Sequence, residues 1–188
     1  MKIMLFVIVN FLSVIFALPF IIYIKVFRIA KITNVSIFIS RVPFFFGDRV
    51  RYYYYKHTLS SLGKGVVFKY GSYVQYRDVK IGNNVLIGYY CSLGEVSIGN
   101  DVLLGGYVNI LSGKNQHSYD EADKLIRLQT GKRVRVNIGN DSWIGSNAVV
   151  MADIGDRVVI GAGSVVSRCI PSNRLAVGNP ATVLKEVN

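Results

Sequence analysis

The chain is poor in the residues that build metal centres and disulfide frameworks. Its 188 residues include two histidines, His57 and His117, and two cysteines, Cys91 and Cys169. The cysteines are far apart and have no metal-ligand spacing, so they read as lone reduced thiols rather than as the staple of a small secreted domain. A zinc site built on three histidines would need other ligands recruited to it. Acidic side chains are also few: 11 Asp and Glu stand against 22 Lys and Arg, a formal charge of +11. Such a surplus suits nucleic acid, a membrane surface or an anionic substrate. No aromatic-and-basic motif of a nucleic-acid module accompanies it, so no nucleic-acid partner is expected. Polar residues are nearly missing from Ile3 to Ile24, where only Asn10, Ser13 and Pro19 interrupt an apolar run.

What is abundant is an aliphatic-glycine step that recurs about every six residues. It reads Ile81-Gly82, Ile87-Gly88, Leu93-Gly94, Ile98-Gly99 and Leu104-Gly105, then Ile138-Gly139, Ile144-Gly145, Ile154-Gly155 and Ile160-Gly161. This period is too short for a helical repeat and is that of a β-solenoid, each hexapeptide forming one flat face and the corner after it. The aliphatic residue points inward and the glycine permits the turn. The solenoid is expected from Leu62-Gly63 to Val166, with three hexapeptides to a triangular coil. That makes about five coils, stacked at roughly 4.8 Å. The register slips between Leu93 and Ile98 and again around Met151 to Ile154. Between Ile110 and Val136 the repeat stops, and residues 112–135 read as a polar, protruding loop that holds His117. A long excursion from a regular scaffold points to function.

As a helix, the run from Ile3 to Ile24 would span roughly 33 Å, against a bilayer core of about 30 Å. Lys25, Arg28 and Lys31 follow it and would hold the remainder on the cytoplasmic side. No small-x-small cleavage site follows, which disfavours a signal peptide. A solenoid fills its own core, which disfavours a buried helix. Residues 1–61 are therefore expected to form a membrane-associating segment, with 3–24 as an anchor or, if Pro19 bends it, a segment that dips into the membrane. Phe44 to Phe46 and Tyr52 to Tyr55 lie among Arg41, Arg49, Arg51 and Lys56. They fit a membrane interface or a cap on the first coil, and both readings stand. His57 has no motif around it. Residues 62–188 form the second unit, whose end, 170–188, leaves the repeat through Pro171 and Pro180 as a cap with a short strand or helix near Ala181 to Val187.

Three stretches together carry a family likeness: Asn140 to Val150 (with Trp143-Ile-Gly-Ser), Ile160-Gly-Ala-Gly-Ser-Val-Val166, and Val177-Gly-Asn-Pro-Ala181. They resemble the end of the hexapeptide-repeat acyltransferases, over roughly Leu62 to Glu186. The likeness implies an all-β solenoid, a left-handed parallel β-helix whose hand runs against the usual crossover rule. It also implies acetyl-CoA as co-substrate, no metal, and a homotrimer with the cofactor groove between subunits. The loop with His117 resembles that of sugar O-acetyltransferases of surface-polysaccharide (O-antigen) pathways, which implies His117 as general base in direct transfer to a sugar hydroxyl. Glu95, Asn109 and Asp120 are candidates to orient it or to bind substrate, with no choice among them. By motif, Ser146 and Ala162 would meet the pantetheine arm, Ser167 and Arg168 the nucleotide end, and Lys185 a CoA phosphate. Trp143 is read as packing the coil, and nothing near Cys91 would activate it as a nucleophile. With the apolar N-terminus, the acceptor is expected to be a saccharide, possibly lipid-linked, at the cytoplasmic face of the inner membrane. The alternatives are an N-acetyltransferase of an amino sugar nucleotide, a carbonic anhydrase of the same fold, and a non-catalytic solenoid.

Overall fold

A computed structural model describes residues 2–27 and 31–187. Arg28, one of the three expected flanking cations, lies outside the described residues, as do Met1 and Asn188. Three helices come first: α1 (Lys2–Val26), α2 (Ile32–Ser40) and α3 (Phe44–Thr58). Short strands then coil into a three-sided prism, the parallel β-solenoid of the left-handed β-helix class.

Each face is one sheet. The first stacks Ser61–Leu62, Lys80–Ile81, Val96–Ile98 and Val136–Ile138. The second stacks Val67–Phe68, Leu86–Ile87, Leu103–Leu104, Trp143–Ile144, Val159–Ile160 and Arg174–Gly178. The third stacks Tyr73–Val74, Ser92–Leu93, Asn109–Ile110, Val149–Val150 and Val165–Val166. These pairings are all parallel; the antiparallel exception is Arg174–Gly178 with Ala181–Glu186. The repeat aliphatics Ile81, Ile87, Leu93, Leu104, Ile110, Ile144 and Ile160 are buried, and so fill the axis of the prism. The coil runs further than its motif. Ile170 bridges to Ile154, and Leu175 pairs in parallel with Val159. A sixth coil therefore begins inside the expected cap, and the terminal hairpin extends the second face by one antiparallel strand.

Two corners of the prism are regular and the third is not. At the corner after the first face, stacked side chains replace missing backbone partners: the Asn83 N–H donates to Asn100 Oδ1 at 2.8 Å, the Asn100 N–H to Asn140 Oδ1 at 2.8 Å, and the Asn140 N–H to Asp156 Oδ1 at 2.6 Å. The following residues, Asn84, Asp101 and Asp141, sit at φ 56°, 59° and 51°. Asn and Asp tolerate this left-handed backbone better than most residues. At the corner after the third face the chain takes steps of unequal length: Val74 to Ile81, Leu93 to Ile98, Ile110 to Ile138, Val150 to Ile154 and Val166 to Ile170. Both register slips and the loop thus share one edge of the prism.

The helices cap the open first coil. Tyr54 and Tyr55 of α3 are buried; the Tyr55 ring lies 4.5 Å from that of Phe68, and its hydroxyl accepts from the Val74 N–H at 3.1 Å. Arg51 is fully buried and donates to the carbonyls of Phe68 and Val42, each at 2.8 Å, and to Asp48 at 2.8 Å. Phe44 and Phe45 stay exposed. The cap expectation thus holds for Tyr54 and Tyr55, which pack on the first coil. Helix α1 runs unbroken through Pro19 and buries the stripe Ser13, Ala17, Ile21 and Ile24, leaving large apolar side chains exposed along its other faces. By length and composition Ile3–Val26 is able to cross a membrane. Its Asn10 Oδ1 accepts from Arg49 Nε at 2.6 Å and Tyr53 Oη at 3.2 Å, so α1 and α3 are joined by polar as well as apolar contacts.

Candidate functional site

The loop leaves the irregular edge after Ile110 and returns at Val136. Its two arms are pinned together: the Lys132 N–H donates to the Asn115 carbonyl at 2.7 Å and the Val134 N–H to that of Ser112 at 3.0 Å. At its base the buried Ser112 Oγ accepts from the Glu95 N–H at 2.9 Å. Its far end folds around Gln129, which is buried, donates to the carbonyls of Glu121 and Lys124 at 2.8 Å each, and accepts from the Glu121 N–H at 3.1 Å. Gly131 presses on the backbone of Gln116 and His117; a Cβ there would collide with both. The loop is thus a built element.

His117 is exposed in a cleft of about 270 Å³ lined also by Asn115, Tyr119, Asp120, Thr130 and Lys132. No hydrogen bond from a described residue reaches its ring. Asp120 lines the same cleft, but its carboxylate accepts from Ser118 Oγ at 3.0 Å. Glu95 stands at the loop base and pairs with Arg135 at 3.3 Å. Asn109 is exposed on the third face, in register with Ser92 and Val149. Of the three candidate partners, only Asp120 shares the histidine's cleft within one chain.

The five candidate cofactor residues fall into three places. Ser146 and Ala162 are exposed on the corner after the second face in successive coils, where the Gly163 N–H donates to the Ser146 carbonyl at 2.8 Å. Gly105 lies beneath them, since a Cβ there would come within 2.6 Å of Ser146 N. Ser167 and Arg168 lie on the irregular edge, the edge from which the His117 loop leaves. Lys185 is exposed on the terminal strand opposite Leu175. Within one chain the third face separates the first pair from the second.

Two aromatic and sulfur positions are settled by burial. Cys91 is buried, its thiol donates to the Gly105 carbonyl at 3.0 Å, and burial pushes it up to about 11. It is an inert core thiol. Trp143, expected to pack the coil, instead stands outward on the second face, 54% exposed beside Leu103. The inward position of its strand belongs to Ile144, so the period-two alternation turns Trp143 out. The sequence reading passed over the returning arm of the loop. Lys132 lines the histidine cleft, and the Arg133 guanidinium lies 4.5 Å over the Tyr76 ring. The clustering of Lys132, Arg133 and Arg135 in an otherwise mixed loop was the available signal.

Residues 135–168 match the family model of the bacterial transferase hexapeptide (six repeats). Over 55 residues the chain is 49% identical to the galactoside O-acetyltransferase of Escherichia coli K12, a stretch that makes up 28% of this chain and 27% of that enzyme. The chain thus spans about a quarter of the length of this relative. A maltose O-acetyltransferase from Clostridium difficile 630 is similar in structure, with a TM-score of 0.70 at 27% identity over 83% of this chain and 84% of that one. AntD, an N-acyltransferase from Bacillus cereus solved with dTDP and 3-hydroxybutyryl-CoA, shares the fold at a TM-score of 0.56 and 16% identity over 70% of this chain and 85% of that one. Repeat, coil geometry and relatives agree on one point: residues 135–168 carry the hexapeptide repeat of the bacterial transferases, on a coil similar to that of the maltose O-acetyltransferase.

Proposed function

We propose that this chain is an acetyl-CoA-dependent O-acetyltransferase whose acceptor is a sugar hydroxyl of a surface polysaccharide or its lipid-linked precursor. The observation that carries the reading is His117, the lone histidine of a tightly braced loop, exposed in a polar cleft. Neutral imidazole suits a general base near pH 7. His117 takes the hydroxyl proton as the sugar oxygen attacks the acetyl carbonyl. The C–S bond then breaks, and the CoA thiolate leaves with the proton held by the imidazolium. No covalent enzyme intermediate is involved, in keeping with the inert Cys91. Ser146, Ala162, Ser167, Arg168 and Lys185 supply the small, hydroxylic and basic groups that a pantetheine arm and a polyanionic nucleotide need. Because they occupy separate edges of one prism, the working site is shared between copies in a homotrimer. Similarity to galactoside and maltose O-acetyltransferases supports a sugar acceptor, and the apolar face of α1 supports work at the cytoplasmic membrane face.

The test is CoA thiol release from acetyl-CoA against a panel of lipid-linked and free saccharides. His117→Ala is expected to lose about 10² to 10⁴ in rate, the usual worth of a general base. A fully active His117→Ala protein removes the proposed base. Turnover confined to amino sugar nucleotides would instead establish the N-acetyltransferase alternative.

A further inference from the structure

We infer that the groove between α1 and α2 and the cationic cleft beside it form one site for a lipid phosphate, the carrier of the saccharide that His117 serves. This rests on the acetyl-transfer reading for the saccharide's fate, but the site itself stands on separate observations. The groove, about 460 Å³, is walled by Pro19, Phe20 and Tyr23 of α1 and by Val35 and Phe38 of α2, with Lys31 and Asn34 also lining it. Lys31 and Asn34 also line the neighbouring cleft of about 810 Å³, so the two spaces adjoin. That second cleft changes character: Lys31, Arg77 and Arg133 face one carboxylate, Asp78. Arg77 donates to the Ile24 carbonyl at 3.0 Å and so ties the end of α1 to the first coil. Arg133 is held by the Tyr76 ring beneath it.

The order of these spaces matches the order of parts in a lipid-phosphate-linked sugar. An apolar chain fits the helix groove, which opens beside exposed Tyr23 and Phe38 where α1 shows its apolar surface. A phosphate or diphosphate fits the cluster of cations, guanidinium above all. The saccharide then continues along the loop's returning arm. Arg133 lines the cationic cleft while its neighbour Lys132 lines the His117 cleft, and consecutive Cα atoms are only about 3.8 Å apart. The irregular edge of the prism brings all of this together. Gln75 to Asp78 form its first step and the His117 loop its third. A bulk membrane lipid would fill the groove but would have no use for a cationic passage leading to the loop.

The test is binding of farnesyl diphosphate to the full chain in detergent, with farnesol and inorganic diphosphate as separate probes. Wild type is expected to bind farnesyl diphosphate about tenfold or more tighter than either part alone, and Lys31→Glu and Arg133→Glu each to weaken it by about tenfold or more. Phe38→Glu, on the groove wall, should weaken farnesyl diphosphate and leave inorganic diphosphate binding unchanged. The two charge variants replace exposed side chains, and far-UV circular dichroism checks their fold. Equal affinity for inorganic and farnesyl diphosphate, or indifference to both charge reversals, overturns the site. Full displacement of the probe by phosphatidylcholine vesicles overturns it in favour of ordinary bilayer lipid. No acetyl donor is present, so failure here leaves the transfer reading standing. Intact probe binding without any thiol release would sink the transfer reading alone.

Discussion

At the scale of single residues, burial separates what holds the fold from what is free to react. Arg51 is a buried cation whose charge survives on Asp48 and on carbonyls that α2, its following turn and the first coil turn toward it; burial lowers its pKa, and the hydrogen bond it donates to Asp48 opposes that. Asp48 keeps a second partner in Lys69 at 2.7 Å, whereas the carbonyls of Phe68 and Val42 lose the guanidinium that meets them. Arg51→Ala should therefore cost about 3–5 kcal/mol in urea unfolding. Arg51→Lys should recover little of it, because one ammonium does not reproduce the planar fork. The two cysteines differ in the same way. Exposed Cys169 should react with iodoacetamide in the native protein, and buried Cys91 only after unfolding. The pH dependence follows from the same burial. Folding favours the neutral thiol, so Cys91's contribution is full below its ordinary value of 9.0 and is lost as pH rises toward about 11. Tyr55, pushed up to about 12 by desolvation, adds to the loss from the high end of that window. The urea midpoint should hold steady to about pH 9 and then fall, less steeply in Cys91→Ala; a midpoint that does not move over that range would contradict a desolvated thiol.

At the scale of elements, the His117 loop behaves as a hairpin with a rigid base, and Gly131 is where that rigidity is set. Its Cα sits against the backbone of Gln116 and His117, so Gly131→Ala must push the two arms apart. A displacement of about 1 Å at the base can cost about 10² in rate. The variant should keep its melting temperature within a few degrees, since the loop lies outside the buried core. Near-wild-type thiol release would show that the loop tolerates an open base. How far such elements could be read in advance follows from their repetition. Each hexapeptide needs one inward aliphatic and one tight corner, so Ile87-Gly88 or Ile144-Gly145 announces its own strand. Each slip, at Leu93 to Ile98 and at Met151 to Ile154, was visible alone. Their common edge was not, because stacking of coils is a three-dimensional fact. Helix α3 was hidden for another reason: Phe44 to Thr58 carries aromatics and cations on every side, and only packing sorts Tyr54 and Tyr55 inward from Phe44 and Phe45. His117 stood out by scarcity. Its neighbours did not, since Asp120, Lys132 and Thr130 meet it through a fold of the loop that no period encodes.

At the scale of the whole molecule, the proposed homotrimer would have to form on surfaces that one chain leaves exposed. The helices cover the first coil, and at the other end Ala181–Glu186 adds one antiparallel strand to the second face. The sides of the prism are open. Along the second face the outward row holds Leu86, Leu103, Trp143 and Val159, with Leu103 48% and Trp143 54% exposed. A side-by-side assembly of prisms would bury that row. It would also bring the donors on one chain's corner toward the loop of another, which a single chain does not do: Ser146 and Ala162 stand a face away from Ser167 and Arg168, and the His117 ring has no hydrogen-bond partner among the described residues. A closed ring of identical contacts satisfies every such surface at once. In detergent, light scattering should give three times the chain's mass, and Leu103→Asp with Trp143→Asp should give a single chain with the circular dichroism of the intact coil. Because both substitutions lie outside the buried axis, loss of activity in that variant, about 10² or more, would be loss of the shared site rather than of the fold. A monomeric double variant with full thiol release would place the whole reaction within one prism, and a variant that stays trimeric would move the contact to another face.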